Sequence, residues 1–455
     1  TYALDANDAR AYRYRGASER MREIIDTIRV KGAAPVVVTL QYTRHGPVLM
    51  TDSAKRVAVA LRAAWLEPGG APYLASLRLD QARTWSEART ALSFARMPAL
   101  NWIWADTSGA IGWQSAGIAP IRKNWDGLVP VPGDGRFEWS GFLPIPQLPH
   151  ETSPSRGYVG TANALNVEAS YPNANALART WAEPFRRDRL LEVLDTTRQA
   201  TLSQMMALQH DETPLAARAL VPLVKQIALT NAASIAARDT LLRWNGVLSA
   251  NSRGAAIYAA WERKLLTHTA DIVLPLEARP LLRTVSLAQT IAWLTSPDSL
   301  LGENPTVARD FILFRAFNEA VSDLSRRFGK DMAGWRYGDP KMHHVRIAHP
   351  LDAVIADSVR GRLSPGPLAR GGYANTLNAT GNGDNQTAGA SFRVVMDLAN
   401  WDGAMVTNTP GQSGDPRSPY YSNLFGPWAR GEYSPLPYSP SAVRARTAET
   451  VVIVP

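Results

Sequence analysis

The sequence predicts an α+β fold in which a helical insertion separates two groups of strands. Residues 1–183 have mainly the patterns of strands and turns, residues 184–330 have a helical period, and residues 331–455 return to strands. The chain has 455 residues, of which 45% are hydrophobic and 20% are charged, and this composition is typical of a globular protein. Because the later strands must close onto the earlier ones, we expect residues 1–455 to belong to one domain.

The first group of strands is indicated by β-branched runs bounded by turn residues. The predicted strands are residues 35–42, 101–105, 110–114 and 157–162. Gly109 lies in the loop between the second and third of these runs, as in a hairpin. Residues 117–156 are rich in Pro and Gly, which is typical of an irregular surface loop.

The helical part begins at Pro184, because proline suits the first turn of a helix and apolar residues recur after it. Thr201 and Gln204 have the spacing of a capping box, in which each side chain bonds the backbone of the other residue. Further stretches with an apolar face are residues 214–229, 235–244, 254–268 and 306–327. The chain then returns to strands at residues 392–398 and 404–406, with a turn predicted at residues 400–403.

Composition and charge exclude several classes of function. The chain contains no Cys, so it has no disulfide, no thiolate nucleophile and no thiolate metal ligand. Its net charge is +9, but no run of five or more basic residues occurs, and we expect no nucleic-acid partner. No uninterrupted apolar run approaches the roughly 18 residues of a membrane-spanning helix, so we expect no membrane partner.

Common catalytic motifs are absent from the sequence, which has no phosphate-binding loop, no G-x-G-x-x-G, no H-E-x-x-H and no G-x-S-x-G. His343, His344 and His349 lie close together in the sequence. Adjacent residues of a strand point to opposite faces, and no acidic cluster accompanies the three, so we interpret them as structural histidines rather than metal ligands. His45 is either a general base or a structural residue at a strand end, and its Gly-Pro context favours the structural role.

Asn163 is a candidate for binding a developing oxyanion. It follows the predicted strand at residues 157–162, and a side-chain amide at the end of a rigid element donates N–H groups without adding a charge. The alternative is that Asn163 caps a turn, as asparagine often does.

Several longer segments have patterns of Gly, Asn, Pro and aromatic residues that are too specific for simple linkers. In chain order they are YRYRG, RHGPV, NWIWADTSGAIGWQSAG, PVPGDG, WSGFLP, GYVGTAN, FRRDRLLEVL, LLRWNG, YGDPKMHHVRIAHPL, GQSGDPRSPYY and WARGEYSPLPYS. Together and in this order they resemble the large β-subunit of the penicillin acylase family of N-terminal nucleophile hydrolases. The resemblance extends over nearly the whole chain.

The resemblance implies an αββα sandwich of two stacked antiparallel sheets flanked by helices, here incomplete and with a helical insertion. In that family an exported precursor, a zymogen, cuts itself into a small α-subunit, a spacer and the β-subunit. The new N-terminal residue of the β-subunit, usually Ser, is the nucleophile, and its own α-amino group is the base. The resemblance therefore implies a periplasmic or secreted amidase, with the α-subunit and a small acylated substrate as partners and no cofactor in the reaction.

The site residues of the family carry over at four positions. Asn163 matches the oxyanion-binding Asn, and Arg186 matches an Arg that supports the site from the following helix. The family's structural calcium uses a backbone carbonyl, here near Gly127, and a carboxylate whose place is taken by Asn175. An amide oxygen is also a possible ligand of calcium.

The sequence departs from the family pattern at its beginning. Only eleven residues precede Tyr12, where the family has several dozen, so we expect the chain to be a β-subunit without its N-terminal part. Thr1 is not expected to be the nucleophile, because its neighbours match positions well past the family's Ser. The parent acylase is expected to hydrolyse N-acylated substrates, either penicillin or cephalosporin side chains or N-acyl-homoserine lactones. The alternative is a non-catalytic homologue that retains the fold as a binding or structural protein.

Overall fold

The structure is a computed structural model that describes residues 1–67, 74–96, 99–168 and 170–454. The chain forms two compact units, the first made of Thr1–Thr161 and Leu165–Trp181, and the second made of Ala162–Ala164 and Ala182–Pro455. The short piece Ala162–Ala164 therefore belongs to the second unit by its contacts, although the chain on both sides of it belongs to the first.

The first unit is built mainly from antiparallel strands. The strands are β1 (Tyr2–Ala3), β2 (Ala11–Tyr14), β3 (Ala17–Arg20), β4 (Arg22–Ile28), β5 (Val36–Thr43), β6 (Gly46–Asp52), β7 (Val57–Ala60), β8 (Leu100–Ala105), β9 (Ile111–Ala116), β10 (Ala119–Arg122), β11 (Trp139–Leu143) and β12 (His150–Thr152). The helices are α1 (Leu74–Leu79) and α2 (Trp85–Leu92), with 3-10 turns at Ala64–Leu66, Ile145–Gln147 and Ala174–Ala176.

These strands form a five-stranded sheet in the order β1-β7-β6-β5-β4, a three-stranded sheet in the order β12-β9-β8, and the pairs β10-β11 and β2-β3. The predicted strand at residues 35–42 is confirmed as β5, and the predicted hairpin is confirmed as β8 and β9. Gly109 in the hairpin loop has a φ of +87°, a conformation that glycine adopts without strain.

Helix α2 was not predicted, although its residues carry a helical signal. Trp85, Ala88 and Leu92 recur at helical spacing and pack in one buried cluster with Leu143 and other residues. The hydroxyl of Thr84 accepts a hydrogen bond from the backbone N–H of the residue three positions later, which caps the helix. The segments on both sides of this helix have strand patterns, which conceal its short helical signal in the sequence.

The predicted strand at residues 157–162 is wrong. These residues pair with no other strand in the part of the chain that the structure describes. The sequence Gly157–Ala162 has the composition of a strand, but a strand also needs a neighbour that accepts and donates its backbone hydrogen bonds. Asn163 therefore follows an irregular segment, not the end of a strand.

The second unit is largely helical. The helices are α3 (Phe185–Thr196), α4 (Leu202–Gln209), α5 (Leu215–Leu220), α6 (Ala232–Leu242), α7 (Arg253–Val273), α8 (Leu287–Thr295), α9 (Pro305–Phe328), α10 (Asp357–Leu363), α11 (Phe425–Ala429) and α12 (Pro440–Arg446), with 3-10 turns at Val221–Gln226, Ser299–Leu301 and Met332–Gly334. The strands are β13 (His344–Val345), β14 (Leu368–Ala369), β15 (Arg393–Asp397), β16 (Asn400–Thr407) and β17 (Ser434–Pro435), paired as β13-β14 and β15-β16-β17.

The predicted helices of this unit are confirmed as α3, α4, α5, α6, α7 and α9, whereas α8, α10, α11 and α12 were not predicted. The capping box at the start of α4 is present in both directions between Thr201 and Gln204. The predicted C-terminal strands are confirmed as β15 and β16. Their hairpin loop lies at Leu398 and Ala399, because Asp397 already pairs with Asn400, so the turn predicted at residues 400–403 is wrong.

The core of the second unit lies around α7 and α9. The rings of Trp261 and Phe317 are fully buried and meet edge to face, with their centroids 5.7 Å apart. One carboxyl group, that of Glu262, is buried in this apolar core, where the hydroxyls of Tyr258 and Tyr373 both donate to it. Burial raises the pKa of Glu262 to about 7, against the opposing effect of the two hydrogen bonds.

Candidate functional site

Asn163 occupies a bend whose backbone conformation is unusual. Its φ is +65°, a left-handed conformation that asparagine tolerates better than most residues. The neighbours Ala162 and Ala164 are buried, whereas the Asn163 side chain is exposed. The carbonyl oxygen of Asn163 accepts a hydrogen bond from the backbone N–H of Ala182 at 3.1 Å. The two buried alanines and this bond hold the backbone, so that the amide side chain extends from a fixed base.

Arg186 orients the side-chain amide of Asn163. Arg186 is the second residue of α3, and its Nη2 donates to Oδ1 of Asn163 at 2.9 Å. Because Oδ1 is held by the guanidinium, the opposite end of the amide, Nδ2, is the end that presents its N–H donors to another acceptor. The guanidinium also polarises the amide and thereby strengthens those donors.

Arg186 forms no ion pair with a carboxylate among the described residues. Burial alone accounts for the lowered pKa of its guanidinium, with no charged neighbour contributing to the shift. Its positive charge therefore adds to the electrostatic potential at the exposed amide. The pair Asn163–Arg186 is an arrangement in which a developing negative charge on an oxygen atom would be stabilised.

Glu183 anchors the segment that leads into α3. Its two carboxylate oxygens accept hydrogen bonds from the backbone N–H groups of Leu287 at 2.7 Å and Ala288 at 3.1 Å. These N–H groups belong to the first turn of α8, where they have no partner within the helix and where the helix dipole favours a negative charge. Glu183 thus ties the turn that precedes Arg186 to a distant helix. No pattern in the sequence pointed to Glu183, because its partner lies 104 residues further along the chain.

Asn175 and Gly127, the two expected calcium ligands, both lie close to arginine side chains. Oδ1 of Asn175 accepts a hydrogen bond from Arg179, and its carbonyl oxygen accepts one from Nη1 of Arg122 at 3.2 Å. A Cβ atom added to Gly127 would lie 3.1 Å from Nε of Arg122. Both oxygens of Asn175 accept hydrogen bonds from guanidinium groups in this arrangement, and a calcium site at these residues stays a prediction. No group of three or more His, Cys, Asp or Glu side chains that could hold a metal occurs among the described residues.

His45 is held between two side chains in a cavity of about 340 Å³ in the first unit. Its Nε2 lies 2.9 Å from Oε1 of Glu138, and its Nδ1 is hydrogen-bonded to the hydroxyl of Tyr2. Both ring nitrogens are therefore engaged, which fits the structural interpretation of this residue. Thr1 also lines this cavity, with its hydroxyl 3.4 Å from the carbonyl oxygen of Val131. That Thr1 is not the nucleophile stays a prediction.

The three C-terminal histidines do not converge on a common point. His343 is fully buried and stacks on Tyr337 with the ring centroids 4.5 Å apart, and burial lowers its pKa to about 4. His344 lies in β13, and Nδ1 of His349 accepts a hydrogen bond from the backbone of Leu351 at 3.1 Å. This arrangement agrees with their interpretation as structural residues.

No helix in the described ranges combines the length and the apolar character that crossing a membrane requires.

The comparisons with known proteins identify the class to which the chain belongs. The sequence profile of the family described as Penicillin amidase matches residues 1–445, so the chain is a member of the penicillin amidase family. The structure superposes on the thermostable penicillin G acylase from Alcaligenes faecalis with a TM-score of 0.75 at 22% identity, covering 100% of this chain and 85% of that chain. This likeness confirms the predicted α+β fold of the N-terminal nucleophile hydrolases.

Among characterised proteins, the chain is similar to two kinds of acylase. It is 30% identical to the acyl-homoserine lactone acylase QuiP of Pseudomonas fluorescens (strain Pf0-1), over 91% of this chain and 53% of that protein. It is 28% identical to the penicillin acylase 2 proenzyme of Pseudomonas sp. (strain SE83), over 99% of this chain and 58% of that protein. The chain therefore spans about half the length of the curated relatives it matches.

Proposed function

We propose that the protein containing this chain hydrolyses the amide bond of N-acylated substrates through an acyl-enzyme. The names of its relatives support an acylase activity. The observation that carries the proposal is the hydrogen bond from Arg186 to Oδ1 of Asn163, since it turns the donor end of the amide outwards from a fixed backbone. The chain thus supplies one donor of an oxyanion hole.

In the proposed reaction, the attacking hydroxyl belongs to the N-terminal residue of the mature β-subunit, outside this chain. Its oxygen forms a bond to the carbonyl carbon of the amide, and its proton passes to the α-amino group of the same residue. The carbonyl oxygen becomes negatively charged, and Nδ2 of Asn163 donates a hydrogen bond to it. The C–N bond then breaks as the proton is delivered to the leaving amine. Water hydrolyses the resulting ester, which releases the carboxylic acid and restores the hydroxyl.

The candidate substrates are N-acyl-homoserine lactones and the acylated side chains of penicillins and cephalosporins. To test the proposal, the complete protein is incubated with homoserine lactones bearing short and long acyl chains and with aryl-acetyl and glutaryl β-lactams. Mass spectrometry should detect the free acid and the free amine in equal amounts, with the lactone or β-lactam ring intact. If a folded and processed protein released no acid from any of these amides, the chain would belong to a homologue that retains only the fold.

The remaining half of the protein is proposed to include the α-subunit of an exported, periplasmic precursor. The hairpin of β4 and β5 exposes large apolar side chains, among them Ile25 at 74% and Val37 at 64%. Apolar faces of this kind are typical of surfaces that a partner covers. The α-subunit is the occupant we propose, because the curated relatives extend about as far again beyond the region that this chain matches.

A further inference from the structure

A cavity of about 400 Å³ lies within the second unit, and its lining residues include neither Asn163 nor Arg186. Its polar lining includes His210, Glu212 and Asn378, and its apolar lining includes Met206 and Met405. This volume is in the range of cavities that bind small molecules.

Two buried arginines contact Asn378, a lining residue of the cavity, although neither arginine lines the cavity itself. Arg370 and Arg393 are only 3% and 5% exposed. Both guanidiniums donate to the same atom, Oδ1 of Asn378, with a distance of 2.9 Å for Arg393. Two positive charges that share one acceptor repel each other, and burial together with this repulsion lowers the pKa of Arg370 to about 10. A pKa of about 10 leaves Arg370 charged at neutral pH.

The hydrogen bonds that these guanidiniums form go to neutral amide groups. Besides Asn378, the acceptor is Oε1 of Gln386, which lies 3.0 Å from Nη1 of Arg370. Nε of Arg370 and Nη1 of Arg393 are buried and bond to none of the described residues. Buried charges in proteins are normally paired with an opposite charge, and an unpaired charge is strongly unfavourable.

Glu212 is the carboxyl group that lines the cavity, where it accepts a hydrogen bond from Nδ2 of Asn378 at 3.1 Å. The neighbouring acids are already paired, since Asp211 bonds Arg189 at 2.7 Å and Glu432 bonds Arg430 at 2.6 Å. Glu212 is therefore the carboxyl group that offsets part of the charge of Arg370, and it has no such effect on Arg393. The net charge around the cavity is positive, whether or not Glu212 is ionised.

We propose that this cavity binds a small organic carboxylate, whose anionic group compensates Arg370 and Arg393 and whose apolar part lies against Met206 and Met405. His210 fits this ligand, because its Nε2 is buried and has no hydrogen-bond partner in the described part of the chain. Burial and the two arginines lower the pKa of His210 to about 4, so at neutral pH the ring is an uncharged group able to donate one N–H. The apolar lining favours a carboxylate with a hydrocarbon chain over an inorganic anion. This proposal does not depend on the acylase reaction.

The test is calorimetric titration of the complete protein with hexanoate at neutral pH. Acetate, inorganic phosphate and hexylammonium are titrated in parallel, so that chain length, anion type and sign of charge are separated. We expect hexanoate to bind more tightly than acetate or phosphate, and hexylammonium to show no binding at the cavity. Equal affinity for phosphate and hexanoate, or tighter binding of hexylammonium, would overturn the proposal.

Two isosteric variants place the binding at this cavity. Asn378→Asp puts a carboxylate at the atom that both guanidiniums contact. The affinity for hexanoate should then fall by at least about tenfold. Burial raises the pKa of Glu212 to about 7, so Glu212→Gln removes a carboxyl group that is partly ionised at neutral pH and should strengthen binding at pH 8 more than at pH 6. Glu303→Gln, at an exposed acid elsewhere in the second unit, should change nothing. If both cavity variants bound hexanoate as the unmodified protein does, its site would lie elsewhere and the proposal would be wrong. Glu212→Gln is expected to raise the affinity for hexanoate, whereas Asn378→Asp is expected to lower it. The proposal can therefore be tested with Glu212→Gln alone if Asn378→Asp fails to fold.

Discussion

Replacing Asn163 by Asp reverses the chemistry of one end of the side chain and leaves its geometry intact. Aspartate tolerates the φ of +65° at this bend, and its Oδ1 retains the contact with Nη2 of Arg186, which lies 2.9 Å from the present amide oxygen. The atom that changes is Nδ2, which becomes a negatively charged oxygen. If Nδ2 faces the reacting carbonyl, this variant replaces a donor with a charge of the same sign as the oxyanion.

The expected loss combines two contributions. Removing one oxyanion donor lowers kcat by about 10²- to 10³-fold, or roughly 3 to 4 kcal/mol. A carboxylate about 4 Å from the oxyanion adds repulsion of up to about 4 kcal/mol at an effective dielectric constant near 20. Pairing with Arg186 offsets part of this repulsion, because the guanidinium neutralises the new charge. We therefore expect Asn163→Asp to lower kcat by more than about 10³-fold.

Asn163→Gly is the matched control for the backbone. Glycine adopts a positive φ without strain, so this variant deletes the amide without the backbone penalty that Asn163→Ala would carry. Its kcat should fall by about 10²- to 10³-fold, which is less than the fall for Asn163→Asp. Asn423→Ala, an exposed asparagine of the second unit, should behave like the unmodified protein.

The assay is steady-state hydrolysis of an N-acylated substrate by the complete, processed protein, with thermal unfolding measured on each variant. The fall should appear in kcat with KM nearly unchanged, because the oxyanion forms only after the substrate is bound. If Asn163→Asp is at least as active as Asn163→Gly, a carboxylate is harmless at this position, and Nδ2 of Asn163 does not donate to the oxyanion.

Three further predictions concern other groups of the chain. Glu183→Gln weakens the hydrogen bonds that its carboxylate accepts from the first turn of α8, and it should lower kcat about fivefold with little change in KM. If activity and the amount of folded protein fell equally, the role of Glu183 would be merely structural. Glu262 has a folded pKa of about 7, above its ordinary value, so the folded state retains a proton that the unfolded chain releases. The free energy of unfolding should therefore fall as the pH rises from about 4.5 to 7. Urea titrations at pH 5 and pH 8 measure this fall, and Glu262→Gln should make it smaller by roughly 3 kcal/mol. Ile25→Asp on the exposed hairpin should reduce recovery of the proposed α-subunit in pull-down experiments, while exposed Glu303→Gln should not. Equal recovery would exclude that face from the interface.

Local patterns of the sequence predicted the longer helices of the second unit, its hairpin of β15 and β16, and one hairpin of the first unit. The capping box of Thr201 and Gln204, the long helices α7 and α9, and the hairpin around Gly109 follow from the propensities of neighbouring residues. Such features were predictable because the interactions that form them span only a few positions. Membership of the family was predictable for a different reason, since a series of segments in a fixed order is far more specific than any one of them.

The sequence by itself determined that an asparagine and an arginine stand at positions 163 and 186. Only the tertiary structure decided that Oδ1, rather than Nδ2, of Asn163 contacts Arg186, and that Glu183 is bound to a helix 104 residues away. It also decided that residues 157–162 form no strand and that Arg122 and Arg179 donate hydrogen bonds to Asn175. The physical reason is the same throughout, because each of these outcomes depends on which distant groups share a hydrogen bond or a charge, and local propensities do not encode such pairings.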